Sequence, residues 1–271
     1  MKRLQDWYQH PKYYDAIFGD DTVGEMDFLL ALNRRFGTSG RCFLEPACGA
    51  GRLIAEGTRR GLRMVGYDWS REMLAHARSR ISLAEYRVHL YHARMESFAP
   101  AEWRGEVDLA YSLVSTFRYL DTEQAALRHL RCTKALLKPD GLYVLGFDLT
   151  DYARTKCEHE RWIGKIGRDR VVCNTREWPP DRGRRRARMR NRLRITGPGK
   201  DWLIETEWIF RTYHDGQIDA LLARAGFETL AVFGFDHQID RPLPTDTDRL
   251  DRIFVLRPAP RAPAAGQPGG P

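Results

Sequence analysis

Residues 43–53 combine an apolar strand, a glycine turn, the start of a helix and an acidic side chain. Gly49 and Gly51 let a ligand approach the backbone and the N-terminus of the helix. A dinucleotide fingerprint needs a small residue three positions after Gly51, where this chain has Ile54. Glu45 lies in the turn, where its charge would repel a pyrophosphate. The segment is therefore typical of a site for a nucleoside that carries a cation and no phosphates.

A second acidic residue follows at a spacing that suits the same ligand. Asp68 ends an apolar stretch at 63–67 and lies 17 residues after Gly51. Dinucleotide-binding folds place an acid against the ribose hydroxyl groups at about this distance. The glycine turn, Glu45 and Asp68 together predict a nucleoside site at the carboxyl ends of two neighbouring strands.

The chain that must position these residues alternates between strands and helices. After a helix at 22–36, the hydrophobic pattern predicts strands at 42–44, 63–67, 86–92, 107–114 and 142–147. It predicts intervening helices at 52–60, 70–81 and 122–137, and a later helix at 217–225 with strands at 229–235 and 252–256. Such alternation predicts a parallel sheet with helices on both faces.

The alternation stops near residue 150, and residues 150–213 have the pattern of antiparallel strands. The segment 184–195 alternates strictly, residues 196–200 make a turn, and 202–210 return. We expect the Pro/Ala/Gly-rich end of the chain, from 259 to 271, to be disordered.

The net charge of +8 comes from one segment, because residues 182–194 contain eight arginines and no acid. Within 184–195 every even position up to 194 is arginine, so one strand face is cationic. Glu205 and Glu207 share a face of the return strand. This favours the interpretation that the arginine face is exposed to solvent and paired with these acids. An acidic substrate or an acidic partner surface is the alternative. These arginines of 182–194, the arginine stripe, form one narrow strip on a chain whose charges otherwise balance, which argues against nucleic acid as the partner.

The composition indicates a globular protein, since hydrophobic residues make up 42% and aromatic residues 11% of the chain. No run approaches the roughly 18 apolar residues of a membrane span, and residues 1–7 contain no apolar signal core. The five cysteines form no CxxC pair, which indicates reduced thiols, no metal site and a cytoplasmic location. The pattern leaves open whether the protein is a monomer or a homodimer.

The motifs resemble those of class I S-adenosylmethionine-dependent methyltransferases, of the small-molecule type with an antiparallel insert after the fifth strand. Residues 45–51 are similar to that family's first motif, 67–70 to its second, and 137–142 to the turn before its fifth strand. The resemblance implies an α/β fold with a Rossmann-like, seven-stranded, mostly parallel sheet, helices on both faces and an antiparallel β cap. The implied parts are an aromatic lid and helix (1–39), the core (40–149 and 214–258), the cap (150–213) and the tail (259–271).

The resemblance also implies S-adenosyl-L-methionine as cofactor and S-adenosyl-L-homocysteine as product. The residues that it implies for cofactor binding are Glu45, Ala47, Gly49, Gly51, Asp68, Trp69, Met73, Arg94, Met95 and Leu113. Glu45 and the glycine backbone would hold the methionine end, Asp68 the ribose, and Trp69 with Met73 the adenine. Leu113 would face the methionine moiety. Where the family has an acid for the adenine amino group, this chain has Arg94, which could stack on the base.

Methyl transfer from a sulfonium is an in-line displacement, in which positioning is worth about 7–11 kcal/mol and a base can deprotonate the nucleophile. The candidate catalytic residues are Asp148, Tyr14 and His237. The candidate acceptor-binding residues are Tyr8, Phe117, Arg118, Tyr119, Tyr152, Trp178, Trp208, Arg211 and Tyr213. As alternatives, Asp148 is a cap or loop acid, His237 a surface-loop residue, and Phe117 and Tyr119 core residues.

The sequence thus predicts methyl transfer to nitrogen or oxygen of a small molecule, which Arg118 and the stripe suggest carries a carboxylate. Residues 110–113 read Ala-Tyr-Ser-Leu, so the [DN]PP[YF] motif of DNA amino methyltransferases is absent. Two alternatives stay open. One is an RNA or ribonucleoprotein methyltransferase that uses the arginines of 182–194, and the other is a non-catalytic module that binds S-adenosylmethionine.

Overall fold

The computed structural model of the protein describes residues 2–4, 6–19, 21–81 and 87–260, which form two β-sheets and six α-helices. The large sheet contains β2 (Cys42–Pro46), β3 (Arg63–Asp68), β4 (Val88–His92), β5 (Val107–Ser112), β6 (Leu137–Asp148), β11 (Phe227–Phe233) and β12 (Asp251–Pro258). The small sheet contains β1 (Lys2–Leu4), β7 (Glu158–Ile166), β8 (Asp169–Glu177), β9 (Arg186–Gly197) and β10 (Lys200–Arg211). The helices are α1 (Pro11–Phe18), α2 (Thr22–Phe36), α3 (Arg52–Arg59), α4 (Arg71–Arg80), α5 (Glu123–Leu136) and α6 (Asp215–Ala225).

The strands of the large sheet lie in the order β11-β12-β6-β5-β2-β3-β4. The five strands from β6 to β4 are parallel, and β12 pairs antiparallel with both β6 and β11. From β2 the chain continues to β3 and β4 on one side, and it then returns to the other side of β2 with β5 and β6, so the order reverses between β2 and β5. Ligands of open α/β sheets bind at such a reversal, outside the carboxyl ends of the strands.

Helices cover both faces of the large sheet, because successive side chains on each strand point to opposite sides. Leu44 and Ala110 pack in one buried cluster with residues of α5 and α6. Their neighbours Phe43 and Leu109 pack in the other cluster with residues of α2, α3 and α4. The predicted α/β architecture, with its seven-stranded, mostly parallel sheet and additional antiparallel strands, is confirmed.

The segment 137–141, predicted as a turn, interrupts the pairing inside a longer strand. Leu137 of β6 pairs with Val107 of β5, and the next pair joins Leu142 of β6 to Leu109 of β5. Five residues of β6 thus span the same length as two residues of β5. A turn-forming Lys-Pro-Asp-Gly sequence therefore loops out of the ladder, and the strand continues on both sides of it. The predicted turn therefore corresponds to an irregularity within β6, and this strand starts earlier than predicted.

Residues 6–18 are the main element that the hydrophobic pattern did not resolve, because they form a 3-10 turn and helix α1. Trp7, Tyr13 and Ile17 pack with Cys173 and Leu193 of the small sheet in a third buried cluster. Gly164 permits this contact, since a Cβ there would lie 1.7 Å from the carbonyl oxygen of Ala16. The N-terminal aromatic residues thus fill the space between the two sheets.

Two expectations concern residues outside or at the edge of the described chain. The predicted tail falls mostly on residues 261–271, which lie outside the described residues, as does residue 86 at the start of the predicted third strand. Within the part of the chain that the structure describes, no helix is long and apolar enough to span a membrane.

Candidate active site

The glycine turn between β2 and α3 adopts left-handed backbone angles at three positions. The φ angles of Ala47, Gly49 and Gly51 are 52°, 52° and 72°. Gly51 caps α3, and a Cβ there would lie 2.7 Å from the Cβ of Ala77 on α4. Ala47 adopts the left-handed conformation although its Cβ makes that conformation sterically unfavourable. Residues in such conformations are concentrated at ligand sites. The turn is thus shaped to bring its backbone close to α4 on one side and to a cavity on the other.

Asp68, at the carboxyl end of β3, holds the turn in place. Its Oδ2 accepts a hydrogen bond from the backbone N–H of Gly49 at 2.8 Å, and its Oδ1 accepts one from Ser70 at 2.8 Å. Burial raises the pKa of Asp68, and the backbone N–H groups oppose the rise. Each carboxylate oxygen keeps a second acceptor position, so Asp68 can also accept hydrogen bonds from ligand hydroxyl groups.

Glu45, at the end of β2, lies beneath the turn. Its Oε2 accepts a hydrogen bond from the hydroxyl of Tyr111 at 3.1 Å. Burial raises the pKa of Glu45 to about 8, although the nearby Arg52 favours the charged form. Arg52 is itself paired with Glu25. Glu45 is therefore a carboxyl group whose charge is incompletely compensated by the protein.

A first cavity of about 320 Å³ opens in front of the turn. The predicted cofactor residues that line it are Ala47, Gly49, Asp68, Trp69, Arg94 and Met95. The side chain of Trp69 is 52% exposed, and the Arg94 guanidinium lies 6.0 Å from its ring centre. An exposed aromatic ring beside a buried carboxylate suits the base and ribose of a nucleoside.

Four predicted cofactor residues do not line the first cavity: Glu45, Gly51, Met73 and Leu113. Met73 is 1% exposed, with its backbone N–H bonded to the Ser70 hydroxyl at 3.2 Å, so it packs in the interior. Glu96 does line the cavity and was missed. It lies two residues after Arg94, so it supplies the nearby carboxylate that the sequence motif lacks.

A second cavity of about 430 Å³ lies between the carboxyl ends of β5 and β6 and the small sheet. Of the predicted catalytic and acceptor residues, it is lined by Tyr8, Tyr14, Arg118, Tyr119 and Asp148. Four residues line both cavities: Tyr8, Tyr14, Thr116 and Tyr119. The hydroxyls of Tyr8 and Tyr119 lie 2.9 Å apart. A group that passes between the two cavities therefore passes these tyrosines.

Asp148 lies at the carboxyl end of β6 and faces the second cavity. Burial raises its pKa, and the Ser115 hydroxyl and the Arg118 charge oppose the rise. Glu160, on β7, faces the same cavity, and its pKa is raised by burial and by the negative charges of Asp148, Glu158 and Glu177. Carboxyl groups from both sheets thus meet around one space.

Arg118 interacts with two side chains of the protein. Its Nη2 lies 3.4 Å from Oε1 of Glu177, and its guanidinium lies 5.0 Å from the ring centre of Phe210. Arg154 binds the same Glu177 oxygen at 2.8 Å. Arg118 thus shares Glu177 with Arg154 while lining the second cavity, and its contact with a substrate carboxylate stays a prediction.

Several predicted residues lie away from the second cavity. Phe117 and Tyr213 are fully buried in the core of the large sheet. The Tyr152 hydroxyl bonds Thr212 at 2.7 Å beside a separate cavity, and Arg211 bonds Glu123 at 3.2 Å. None of these four residues lines either of the two cavities described above.

The other three predicted residues are divided between different surfaces. Trp208 lines the first cavity. Trp178 lies under the Arg188 guanidinium, 3.7 Å from its ring centre. His237 lies beside Phe28, with ring centres 5.2 Å apart, and its Nδ1 is 3.4 Å from Oδ2 of Asp21. The structure therefore does not bring His237 to the candidate site.

The arginine stripe on β9 has the predicted alternation, and Glu205, one of the two acids expected beside it, pairs with one of its arginines. Arg192 binds Glu205 at 2.6 Å and Arg194 binds Asp201 at 3.0 Å. Their neighbours Met189 and Asn191, on the other face of the strand, line the second cavity. The stripe consequently lies on the face of the small sheet that points away from the candidate site.

The comparisons with known proteins agree with this geometry. Residues 43–141 match a family model described as a methyltransferase domain. No curated protein is similar enough in sequence to be matched to the chain.

Several solved structures are similar over most of the chain. An S-adenosylmethionine-dependent methyltransferase from Clostridium acetobutylicum is 14% identical with a TM-score of 0.73, over 94% of this chain and 99% of that one. The sugar N-methyltransferase KedS8 from Streptoalloteichus is 18% identical with a TM-score of 0.70, over 93% of each. The amino pentose methyltransferase CalS10 from Micromonospora echinaspora is 18% identical with a TM-score of 0.66, over 94% and 98%.

The strand order, the glycine turn with its carboxylates and the family match define residues 43–141 as a class I methyltransferase domain. Enzymes of this class take the methyl group from S-adenosylmethionine. Residues 43–141 are therefore a methyltransferase domain by their fold and their family match, and the first cavity beside this domain is lined by residues that suit S-adenosylmethionine.

Proposed function

We propose that the protein transfers a methyl group from S-adenosylmethionine to the nitrogen of a small-molecule amine. The charge of the second cavity carries this proposal. Its lining includes two guanidinium groups, on Arg118 and Arg154, and five carboxyl groups, on Asp148, Asp151, Glu158, Glu160 and Glu177. The whole chain has a net charge of +8, so this acidic space is a local feature. A space of this kind attracts a cationic substrate and disfavours a carboxylate.

The first cavity holds the cofactor in this proposal. Asp68 accepts hydrogen bonds from the ribose hydroxyls, Trp69 and Arg94 contact the adenine faces, and Glu96 accepts from its amino group. Glu45 attracts the cationic methionine end from beneath the glycine turn. When bound, S-adenosylmethionine supplies a methyl group already activated on a sulfonium.

The residues of the second cavity bind, orient and deprotonate the acceptor. Its carboxylates bind the amine in the ammonium form, and Tyr8 and Tyr119 direct it towards the first cavity. Asp148, whose pKa is raised by burial, accepts the proton that the nitrogen must lose before it attacks. The nitrogen lone pair then forms the bond to the methyl carbon while the carbon–sulfur bond breaks. Alignment of the two centres is the main catalytic contribution, worth about 7–11 kcal/mol.

One similar structure is named a sugar N-methyltransferase, which supports nitrogen as the acceptor atom. Another is named an amino pentose methyltransferase, which supports an acceptor that carries an amine. The small sheet covers the second cavity and leaves room for a small molecule. The arginine stripe faces away from that cavity, so a nucleic acid bound to the stripe would not present a base to the site.

The proposal is tested by measuring S-adenosylhomocysteine release from a panel of primary amines, with the matching alcohols and carboxylates as controls. We expect release with amines alone, and competitive inhibition by quaternary ammonium analogues. Release with alcohols or carboxylates and with none of the amines would contradict the proposal.

A further inference from the structure

A row of polar side chains crosses the small sheet on the face that lines the second cavity. Glu160 of β7 pairs with Thr175 of β8, Thr175 with Asn191 of β9, and Asn191 with Thr206 of β10. Directly paired residues on neighbouring strands point to the same face. The next row along the strands is apolar and consists of Trp162, Cys173, Leu193 and Ile204. The polar row is therefore distinct from the apolar row beside it.

Asn191 is the member of this row whose hydrogen-bonding groups the protein leaves unused. It is 1% exposed, and neither its amide oxygen nor its amide nitrogen has a partner among the described residues. Thr206, by contrast, accepts a hydrogen bond from the backbone N–H of Trp7 at 3.2 Å. A buried amide without partners costs stability. The apolar side chains of Leu193 and Ile195 occupy the following positions on the same face, so an apolar residue would suit position 191 as well.

The side chain of Asn191 lies at the wall of the second cavity, where it offers both a donor and an acceptor. A hydroxyl group also both donates and accepts, so it satisfies the two halves of the amide together. Asp148 lies on the large sheet, on the other side of the same cavity. One end of an acceptor can thus be held by carboxylates and the other by Asn191.

We propose that Asn191 determines substrate specificity by hydrogen bonding to a hydroxyl group of the acceptor, which makes the acceptor a hydroxylated amine. This inference rests on the proposed methylation of an amine. With an acceptor that lacks the hydroxyl, the buried amide of Asn191 stays unpaired in the complex as well. Sites with a buried hydrogen-bonding group discriminate strongly against analogues that lack the matching polar group.

The test compares cyclohexylamine with the 2-, 3- and 4-aminocyclohexanols as acceptors. We expect at least one aminocyclohexanol to exceed cyclohexylamine by about tenfold or more in kcat/KM. The Asn191→Leu variant should lose that preference, mainly through a higher KM for the aminocyclohexanols. The Leu193→Met variant, two residues along the same face and outside the cavity lining, is the matched control and should keep the preference.

Thermal unfolding separates specificity from a structural role. The Asn191→Leu variant should be at least as stable as the wild type, and aminocyclohexanols should raise the Tm of the wild type more than that of the variant. A variant that melts lower and loses activity equally on every probe would overturn the inference. So would an unchanged preference. Failure of every amine to accept a methyl group would overturn the proposed function, whereas the ligand-induced shifts in Tm would still decide the role of Asn191.

Discussion

Ser115 and Asp148 hold each other through two hydrogen bonds at the carboxyl ends of neighbouring strands. The Ser115 hydroxyl donates to Oδ2 of Asp148 at 2.9 Å and accepts from its backbone N–H at 3.2 Å. Ser115 has a φ of 44°, in the left-handed region that side chains rarely adopt. The strained residue after β5 thus orients the carboxyl group at the end of β6, which suits a positioned base.

The Asp148→Asn variant should lose the base and keep the shape of the site. We expect kcat/KM for the amine to fall by about 10²–10⁴, the usual contribution of a general base. Cofactor affinity, measured by calorimetry, should stay unchanged. An active variant would exclude Asp148 as the base.

The Ser115→Ala variant tests the positioning role through the pH profile. The Ser115 hydroxyl lowers the pKa of Asp148 against the larger effect of burial. Its removal should raise that pKa further, so the acidic limb of kcat should move to higher pH while activity at high pH recovers. A uniform loss at all pH values would indicate that Ser115 has only a structural role.

Glu45 should make cofactor binding depend on pH. Burial raises the pKa of Glu45 to about 8 in the free protein, and a cationic ligand favours the ionised form. The affinity for S-adenosylmethionine should therefore rise up to about pH 8 and level off above it. Calorimetry in buffers of different ionisation enthalpy should detect the released proton. The Glu45→Gln variant should show no proton release, whereas a substitution of the exposed Asp246 should leave it intact.

The Asp68→Ala variant should bind S-adenosylmethionine at least about 100-fold more weakly, because it loses charged hydrogen bonds worth about 1.5–3 kcal/mol each. It also releases the backbone of Gly49 in the turn. The Asp68→Asn variant keeps one acceptor oxygen and should be affected less. Unchanged affinity in titration calorimetry would show that the cofactor binds elsewhere.

The arginine stripe provides a matched pair of stability predictions. The Glu205 side chain that Arg192 binds is 7% exposed, whereas both partners of the Arg194–Asp201 pair are mostly exposed. The Arg192→Ala variant should lower the free energy of unfolding by about 1–3 kcal/mol, since it leaves a buried carboxylate with one partner fewer. The Arg194→Ala variant should lower it by less than about 1 kcal/mol. Urea unfolding measures both, and equal effects would contradict the role assigned to burial.

The local patterns of the chain account for most of the fold. Apolar strands, the glycine turn and helix caps such as Ser70 are short-range features, so the α/β alternation and the antiparallel segment could be predicted from them. The short helix α1 was missed because its buried face, with Tyr13 and Ile17, packs against strands β7 to β10, which begin 140 residues after the helix ends. Packing of that kind leaves little periodic signal.

Site residues were predictable where a motif ties them to a strand end. Asp68 and Asp148 belong to that group. Glu96 and Asn191 were missed, because one is reached by a turn after β4 and the other by the register of three antiparallel strands. His237 was expected at the site for its chemistry alone, and the structure places it near Phe28. Arg118 does line the second cavity, where it pairs with Glu177.

The sequence alone therefore determined the class of fold, the cofactor loop and the alternation of the arginine stripe, since each depends on neighbouring residues along one strand or turn. Only the tertiary structure supplies the observations on which the proposed substrate rests. The charge of the second cavity depends on carboxyl groups from two sheets, and the unpaired amide of Asn191 depends on strand register. Both arise from contacts between residues distant in the chain, and for that reason the expected carboxylate-bearing substrate gives way to a proposed hydroxylated amine.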